Sequence, residues 1–269
     1  MDAKRRAEQD LHLLITPDDK PLVYLVLGAA GSGRREVLAD LIEGGLGEGG
    51  RAAVLLSAAE WPDPVDTKFP AASRWKMEDE NRIEADMPTE ATHVFILFDG
   101  RKNPVDQIEA FKVWLGERGT EVARVICVVN CQLAEKNPRL FAWYEACIYF
   151  SDVVLLNQRD GVPNKWIGDF KGKFESKFYP CLFEFVRENR VKNPPLILAP
   201  VARRMSHVFD EQEWISADAD NDEEDMEDGE ETEMKPEEDP YLERRNGGRR
   251  VHEIPHIQDF LPKAPVNPA

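Results

Sequence analysis

The sequence predicts an α/β domain with a mostly parallel sheet and flanking helices. Three observations carry the prediction: apolar, β-branched runs that are continuous rather than alternating, helix-like stretches between them, and a glycine-rich turn after the first run. Continuous apolar runs mark strands buried on both faces, as in a parallel sheet covered by helices. They occur at Leu22–Leu27, Ala53–Leu56, Val94–Phe98, Val122–Val129 and Asp152–Leu156, with a further candidate at Leu196–Leu198. Helix-like stretches fall at Arg34–Glu43, Pro104–Glu117, Pro138–Phe150 and Asn164–Lys177. Such alternation places ligand sites in the loops at the carboxyl edge of the sheet. Trp61 to Thr92 is rich in Pro, Asp, Glu and Met and lacks a period, so it reads as an irregular insertion with a short helix near Met77–Ala85.

The chain has 269 residues, 42% of them hydrophobic, and a formal charge of −17. That is enough apolar material for a substantial core. The acidity is local, because Asp210 to Asp239 carries 17 acidic residues against the single base Lys235. The rest is close to neutral, so the net charge says nothing about a ligand site, and nucleic acid is not an expected partner. These shifts divide the chain into an N-terminal leader, residues 1–21; a folded domain, 22–210; an acidic linker, 211–240, expected to be disordered; and a C-terminal tail, 241–269. The tail carries Arg244, Arg245, Arg249 and Arg250 ahead of Ile254, Ile257, Phe260 and Leu261, a pattern that suits folding back or docking on a protein partner. No apolar run is long enough to span a bilayer and the N-terminus lacks the apolar core of a signal peptide, so a cytoplasmic protein without a membrane partner is expected. Cys127, Cys131, Cys147 and Cys181 form no C-x-x-C pair and read as reduced core thiols. His252 and His256 are four apart, but Pro255 between them argues against a helical metal pair.

The segment VYLVLGAAGSGRREVL sets Gly28, Gly31 and Gly33 between a strand and a helix in the spacing G-x-x-x-x-G of a P-loop, the phosphate-binding loop of nucleotide-binding proteins. Glycines let successive backbone N–H groups turn toward an anion, and the helix that follows adds its positive N-terminal end. The candidate phosphate-binding residues are Gly28, Gly31, Ser32, Gly33, Arg34 and Arg35; the alternative is a tight turn that binds nothing. A working nucleotide hydrolase has Lys and then Ser or Thr where this chain has Arg34 and Arg35. The lost hydroxyl is a direct Mg²⁺ ligand, and a guanidinium has no lone pair to replace it. Phosphate charge would then be neutralised by the two arginines with little help from magnesium.

Two further segments lie at expected strand ends. HVFILFDGRKNP leads into Asp99 and Gly100, where Asp99 either contacts Mg²⁺ through water or starts a turn. DVVLLNQRD sets Asn157 and Asp160 at the spacing of the guanine-reading N-K-x-D motif, in which the Asp carboxylate accepts from guanine N1–H and its exocyclic amine. Gln158 stands in place of the Lys whose stem packs over the base, so binding should be weaker.

With these three segments in this order, residues 22–210 resemble the CobW-type GTPases, the P-loop branch that includes the HypB- and UreG-like metal-insertion factors. The middle segment carries most of the likeness: the family has a strand ending E-x-x-G, a short loop with Pro and an amphipathic helix, and here Leu97, Gly100 and Pro104 occupy those places. The resemblance implies a GTP or GDP site. The departures imply a degenerate one, since Leu97 matches the glutamate that couples magnesium to hydrolysis and Asn130 matches the usual Asp after the fourth strand. No C-x-C-C metal motif appears in SAAEWPDP, Ser57 to Pro64, and the family's separate C-terminal domain has no counterpart.

The expectation is a degenerate, CobW-like GTP-binding protein, a pseudo-GTPase in which nucleotide is a structural or regulatory ligand and hydrolysis is weak or absent. Two alternatives stay open: a scaffold on a P-loop fold that no longer binds nucleotide, and a slow GTPase of metal-chaperone type with Asp99 as its magnesium contact.

Overall fold

In the computed structural model, which describes residues 20–78, 82–210 and 239–262, the five central parallel strands arise from buried apolar runs. The elements in chain order are β1 (Leu22–Leu27), α1 (Arg34–Gly45), β2 (Ala52–Ser57), β3 (Ala72–Met77), β4 (Ile83–Glu84), β5 (His93–Leu97) and α2 (Pro104–Gly116). There follow β6 (Val122–Asn130), α3 (Cys131–Lys136), α4 (Phe141–Tyr149), β7 (Val153–Asn157), α5 (Asn164–Glu175), β8 (Leu182–Arg187), β9 (Arg190–Val191) and α6 (Pro194–Leu198). One sheet runs β4–β3–β2–β5–β1–β6–β7–β8–β9. All its pairings are parallel except the two short edge hairpins, β3 with β4 and β8 with β9.

One apolar cluster lies on each face. The larger gathers Leu25, Phe111, Trp143 and Phe174 under α2, α4 and α5, and the other gathers Tyr24, Leu38, Phe95 and Ile197 under α1 and α6. The mostly parallel α/β architecture is therefore as expected, with a helical layer on each face. The four cysteines are buried free thiols. Helix starts follow local chemistry. Asn103 Oδ1 accepts from Val105 N at 2.9 Å with Pro104 at the first helical position of α2, and Asn130 Oδ1 accepts from Leu133 N at 2.9 Å to start α3.

Three sequence expectations change. Leu196–Leu198 is helical, not a strand: Pro194 and Pro195 open α6, and the Leu196 and Ile197 carbonyls go to the buried Arg124 guanidinium at 2.7 and 2.9 Å instead of to a ladder. Trp61–Thr92 is not irregular throughout, since it contributes β3 and β4. In β3 only Trp75 is buried, so no apolar run marks the strand; its indole N–H donates to Leu97 O at 2.9 Å. The helix expected near Met77–Ala85 is replaced by the antiparallel pairing of Met77 with Ile83 and Lys76 with Glu84. The strand β8 was not foreseen, because Glu184 interrupts its apolar sequence.

Residues 239–262 fold back on the domain. Tyr241 packs on Tyr149 and Phe150 with ring centroids 5.0 and 5.8 Å away, and Ile257 is buried. Arg250 pairs with Asp106 at 2.8 Å and Glu109 at 2.6 Å on α2, and Arg244 with Glu109 at 2.6 Å. Residues 1–19 of the leader expected at 1–21, and 211–238 of the linker expected at 211–240, lie outside the described residues. No described helix is long and apolar enough to cross a membrane.

At the amino edge, fully buried Asp152 accepts from Val125 N at 2.7 Å and Arg203 N at 2.5 Å and pairs with Arg204 at 3.2 Å. Asp152→Ala leaves the Arg204 guanidinium buried without this partner and should cost about 3–5 kcal/mol. Urea unfolding at pH 7 checks this, and an unchanged midpoint would contradict it.

Candidate functional site

The chain leaves β1 through Gly28-Ala29-Ala30-Gly31-Ser32-Gly33 and enters α1. Gly28, Gly31 and Gly33 have φ of 137°, 76° and 83°, a region L side chains rarely adopt. A side chain at Gly28 would also collide with Val128 O, and one at Gly33 with the Asn157 amide, whereas one at Gly31 would meet nothing within 4 Å. Two of the glycines thus allow close packing under the loop and the third opens toward its exterior.

Side-chain amides hold the loop carbonyls. Asn157 Nδ2 donates to Ser32 O at 2.9 Å and Gln158 Nε2 to Gly31 O at 2.8 Å, with Asn130 Nδ2 also toward Gly31 O at 3.5 Å. With the carbonyls held from the β6 and β7 ends, two loop N–H groups are also engaged, Ala30 N with Gly100 O and Ser32 N with Ala29 O at 3.1 Å, which leaves those of Gly31, Gly33 and the start of α1 as the donors an anion nest would use. No side chain caps α1, so its first-turn amides add to that field. Ser32 Oγ is fully buried and finds no hydrogen-bond partner among the described residues.

The cationic half of the site is arranged differently from the sequence expectation. Arg34 donates to Phe98 O and pairs with Glu60 Oε1 at 2.5 Å. Arg35 pairs with Glu60 Oε2 and Asp66 Oδ1, each at 3.3 Å, and donates to Trp61 O at 2.9 Å. Gly100 N donates to Glu60 Oε1 at 2.8 Å, while Gly100 O accepts from Ala30 N at 2.9 Å. Burial alone would raise the Glu60 carboxyl, but the Arg34 charge, the Gly100 amide and Arg35 outweigh it and hold Glu60 below its usual 4.5. Both arginines therefore already have an anion.

Asp99 is buried, and its Oδ1 accepts from Arg101 N at 2.8 Å, the hydrogen bond of a turn-starting Asp. Burial raises its carboxyl above the usual range; the Arg101 amide and Arg34 oppose this and the Glu60 charge adds to it. Asn157 serves the loop backbone and also reaches Asn189 Oδ1 at 3.2 Å. Asp160 has an exposed side chain, and its carbonyl accepts from Gln132 Nε2 at 2.7 Å.

Sequence reasoning missed Glu60, Asp66, Asn189 and Gln132. Asn189 could have been found: Glu188 and Asn189 both have positive φ, at 51° and 60°, between Arg187 and Arg190, a two-residue hairpin that Asn favours. Glu60 had no such signal beyond its place just after a strand at the carboxyl edge.

The sheet order and the β1–loop–α1 unit define the class: a parallel α/β domain with a phosphate-loop turn at its carboxyl edge. No family model and no curated protein matches the chain. Among solved structures, Zn(II)-bound YjiA GTPase from E. coli is 15% identical, with 69% of this chain and 67% of that one covered and a TM-score of 0.38. The cell division protein FtsY of Thermotoga maritima gives 13%, 68% and 68%, and 0.40. The signal recognition particle receptor FtsY of Elizabethkingia anophelis, in complex with GDP, gives 14%, 72% and 65%, and 0.43.

Because the folded Glu60 carboxyl titrates below its unfolded value, its contribution to stability is present above about pH 4.5 and fades as pH falls through the lower folded value. Glu60→Gln should therefore cost about 1.5–3 kcal/mol at pH 7, the range for hydrogen bonds to charged groups, and progressively less in acid. Urea titrations of both proteins from pH 7 to pH 3 test this; a pH-independent difference would contradict it.

Proposed function

We propose that the chain is a guanine-nucleotide-binding protein of CobW-like type in which the nucleotide is a structural or regulatory ligand and hydrolysis is weak or absent. The observation that carries this reading is the nest itself: an uncapped helix start behind three positive-φ glycines, its carbonyls held by Asn157 and Gln158. Packed glycines and pinned peptides are costly to maintain in a turn that holds no anion. Asp160 lies on the same strand end as Asn157 with its carboxylate exposed, which suits an acceptor for the guanine edge.

Magnesium does not fit the residues present. Arg35 occupies the hydroxyl ligand's position, and the Asp99 carboxyl is buried, raised and engaged with its own turn. A second reading, a scaffold that has given up nucleotide, draws on one observation, the satisfaction of Arg34 and Arg35 by Glu60.

Thermal denaturation separates the two. GDP at 100 times its dissociation constant stabilises the folded state by about 2.7 kcal/mol, so the midpoint should rise with GDP more than with ADP, and EDTA should not abolish the rise. No shift at millimolar GDP would favour the scaffold. Asp160→Ala should equalise GDP and ADP; a retained guanine preference would remove Asp160 from the site. GTP turnover should stay below about 3 × 10⁻⁴ s⁻¹, the intrinsic rate of a small GTPase without its activator, and faster magnesium-dependent release of phosphate would overturn the non-hydrolytic assignment.

A further inference from the structure

Glu60 comes from outside the phosphate loop, yet its carboxylate collects the donors on the loop's β5 side. Oε1 accepts from Arg34 at 2.5 Å and from Gly100 N at 2.8 Å, and Oε2 from Arg35 at 3.3 Å. In a phosphate loop the cation at the Arg34 position is the one that reaches the β- and γ-phosphates. Gly100 is part of the same wall, since its carbonyl takes the Ala30 N–H of the loop at 2.9 Å. Two guanidiniums and one backbone amide around a single anion is the environment of a terminal phosphoryl group, and a carboxylate supplies similar acceptor chemistry there.

The segment that delivers Glu60 is fixed to its surroundings. Arg74 donates to Ser57 O at 3.0 Å and to Asp66 at 3.0 Å, and Arg35 holds Trp61 O at 2.9 Å. Ala59 N donates to Ser57 Oγ at 3.2 Å, and Asp63 caps the next turn by accepting from Val65 N at 2.9 Å. The opposite half of the loop stays open: Gly31 is exposed, α1 is uncapped, and Ser32 Oγ is buried beneath without a partner among the described residues. The anion field is split into a filled seat and an open one.

We infer that Glu60 is a resident occupant of the terminal-phosphate seat, so that the site takes a nucleoside diphosphate and discriminates against the triphosphate. The inference rests on the nucleotide-binding reading above. A third phosphate entering this wall meets a fixed carboxylate on the same donors, whereas a diphosphate uses the backbone amides of the loop and helix start and leaves Glu60 in place.

Calorimetric titration of the full chain with GDP and GTP in EDTA tests it. The wild-type protein should bind GDP at least about tenfold more tightly than GTP, a difference of about 1.4 kcal/mol. Glu60→Gln keeps the shape and an acceptor oxygen for Gly100 but removes the charge, and should close the gap through a gain in GTP affinity. Equal or tighter binding of GTP by the wild-type protein overturns the inference while leaving nucleotide binding intact. An unchanged GDP-to-GTP ratio in Glu60→Gln, shown folded by its circular dichroism melt, overturns it as well. Should the variant not fold, the wild-type ratio decides alone. Binding of neither nucleotide by either protein overturns the nucleotide reading and this inference together.

Discussion

The carboxyl edge of the sheet depends on the close approach of Gly100 to the phosphate loop. β1 and β5 are neighbours in parallel register, so the chain leaving β5 must pass directly beside the turn that leaves β1. A side chain at Gly100 would strike Ala30 N and the Arg34 guanidinium, which leaves glycine as the residue that fits. From this contact the rest follows. Ala30 is fixed by Gly100 O, Arg34 reaches Phe98 O, and the Gly100 amide is left facing the segment after β2, where Glu60 meets it.

The electrostatics of the site are consequently closed within the protein. Two arginines sit beside Glu60 and Asp66 with side chains mostly shielded from water, where opposite charges attract more strongly and an unpaired charge costs more than at the surface. A loop that shows its cations to solvent recruits an anion by long-range attraction. Here the guanidiniums are already paired, so under the proposed nucleotide reading an anion would meet local backbone dipoles rather than a long-range field.

Much of this fold was written as periodicity. β1, β2, β5, β6 and β7 are buried on both faces and, Arg124 in β6 aside, are almost continuously apolar, which is why their positions could be read directly. The strands next to the two edges could not, because exposure frees their composition: β3 shows ASRWKM with Trp75 as its one buried side chain, and β8 carries Glu184 among aromatics. The glycine positions of the loop were legible because positive φ selects glycine. What escaped was the partner of the arginines. Spacing reveals contacts along one element, while the pairing of Arg34 with Glu60 spans 26 residues and an intervening strand, and depends on where β2 lies relative to β1 in space.

The returning segment 239–262 enters beside the place where the domain ends. Asp210 is held by Arg204 at 2.6 Å, and Asp239 accepts from Ser206 Oγ at 2.5 Å, so both ends of residues 211–238 are fastened to the same few residues. The segment then crosses α2 and reaches the loop after β5, where Gln258 donates to Arg101 O at 3.1 Å and Arg101 donates to Pro262 O at 3.1 Å. A stretch whose ends are anchored side by side imposes no distance on what it joins. The brace on α2 and the edge of the site therefore rest on the contacts that residues 239–262 make for themselves.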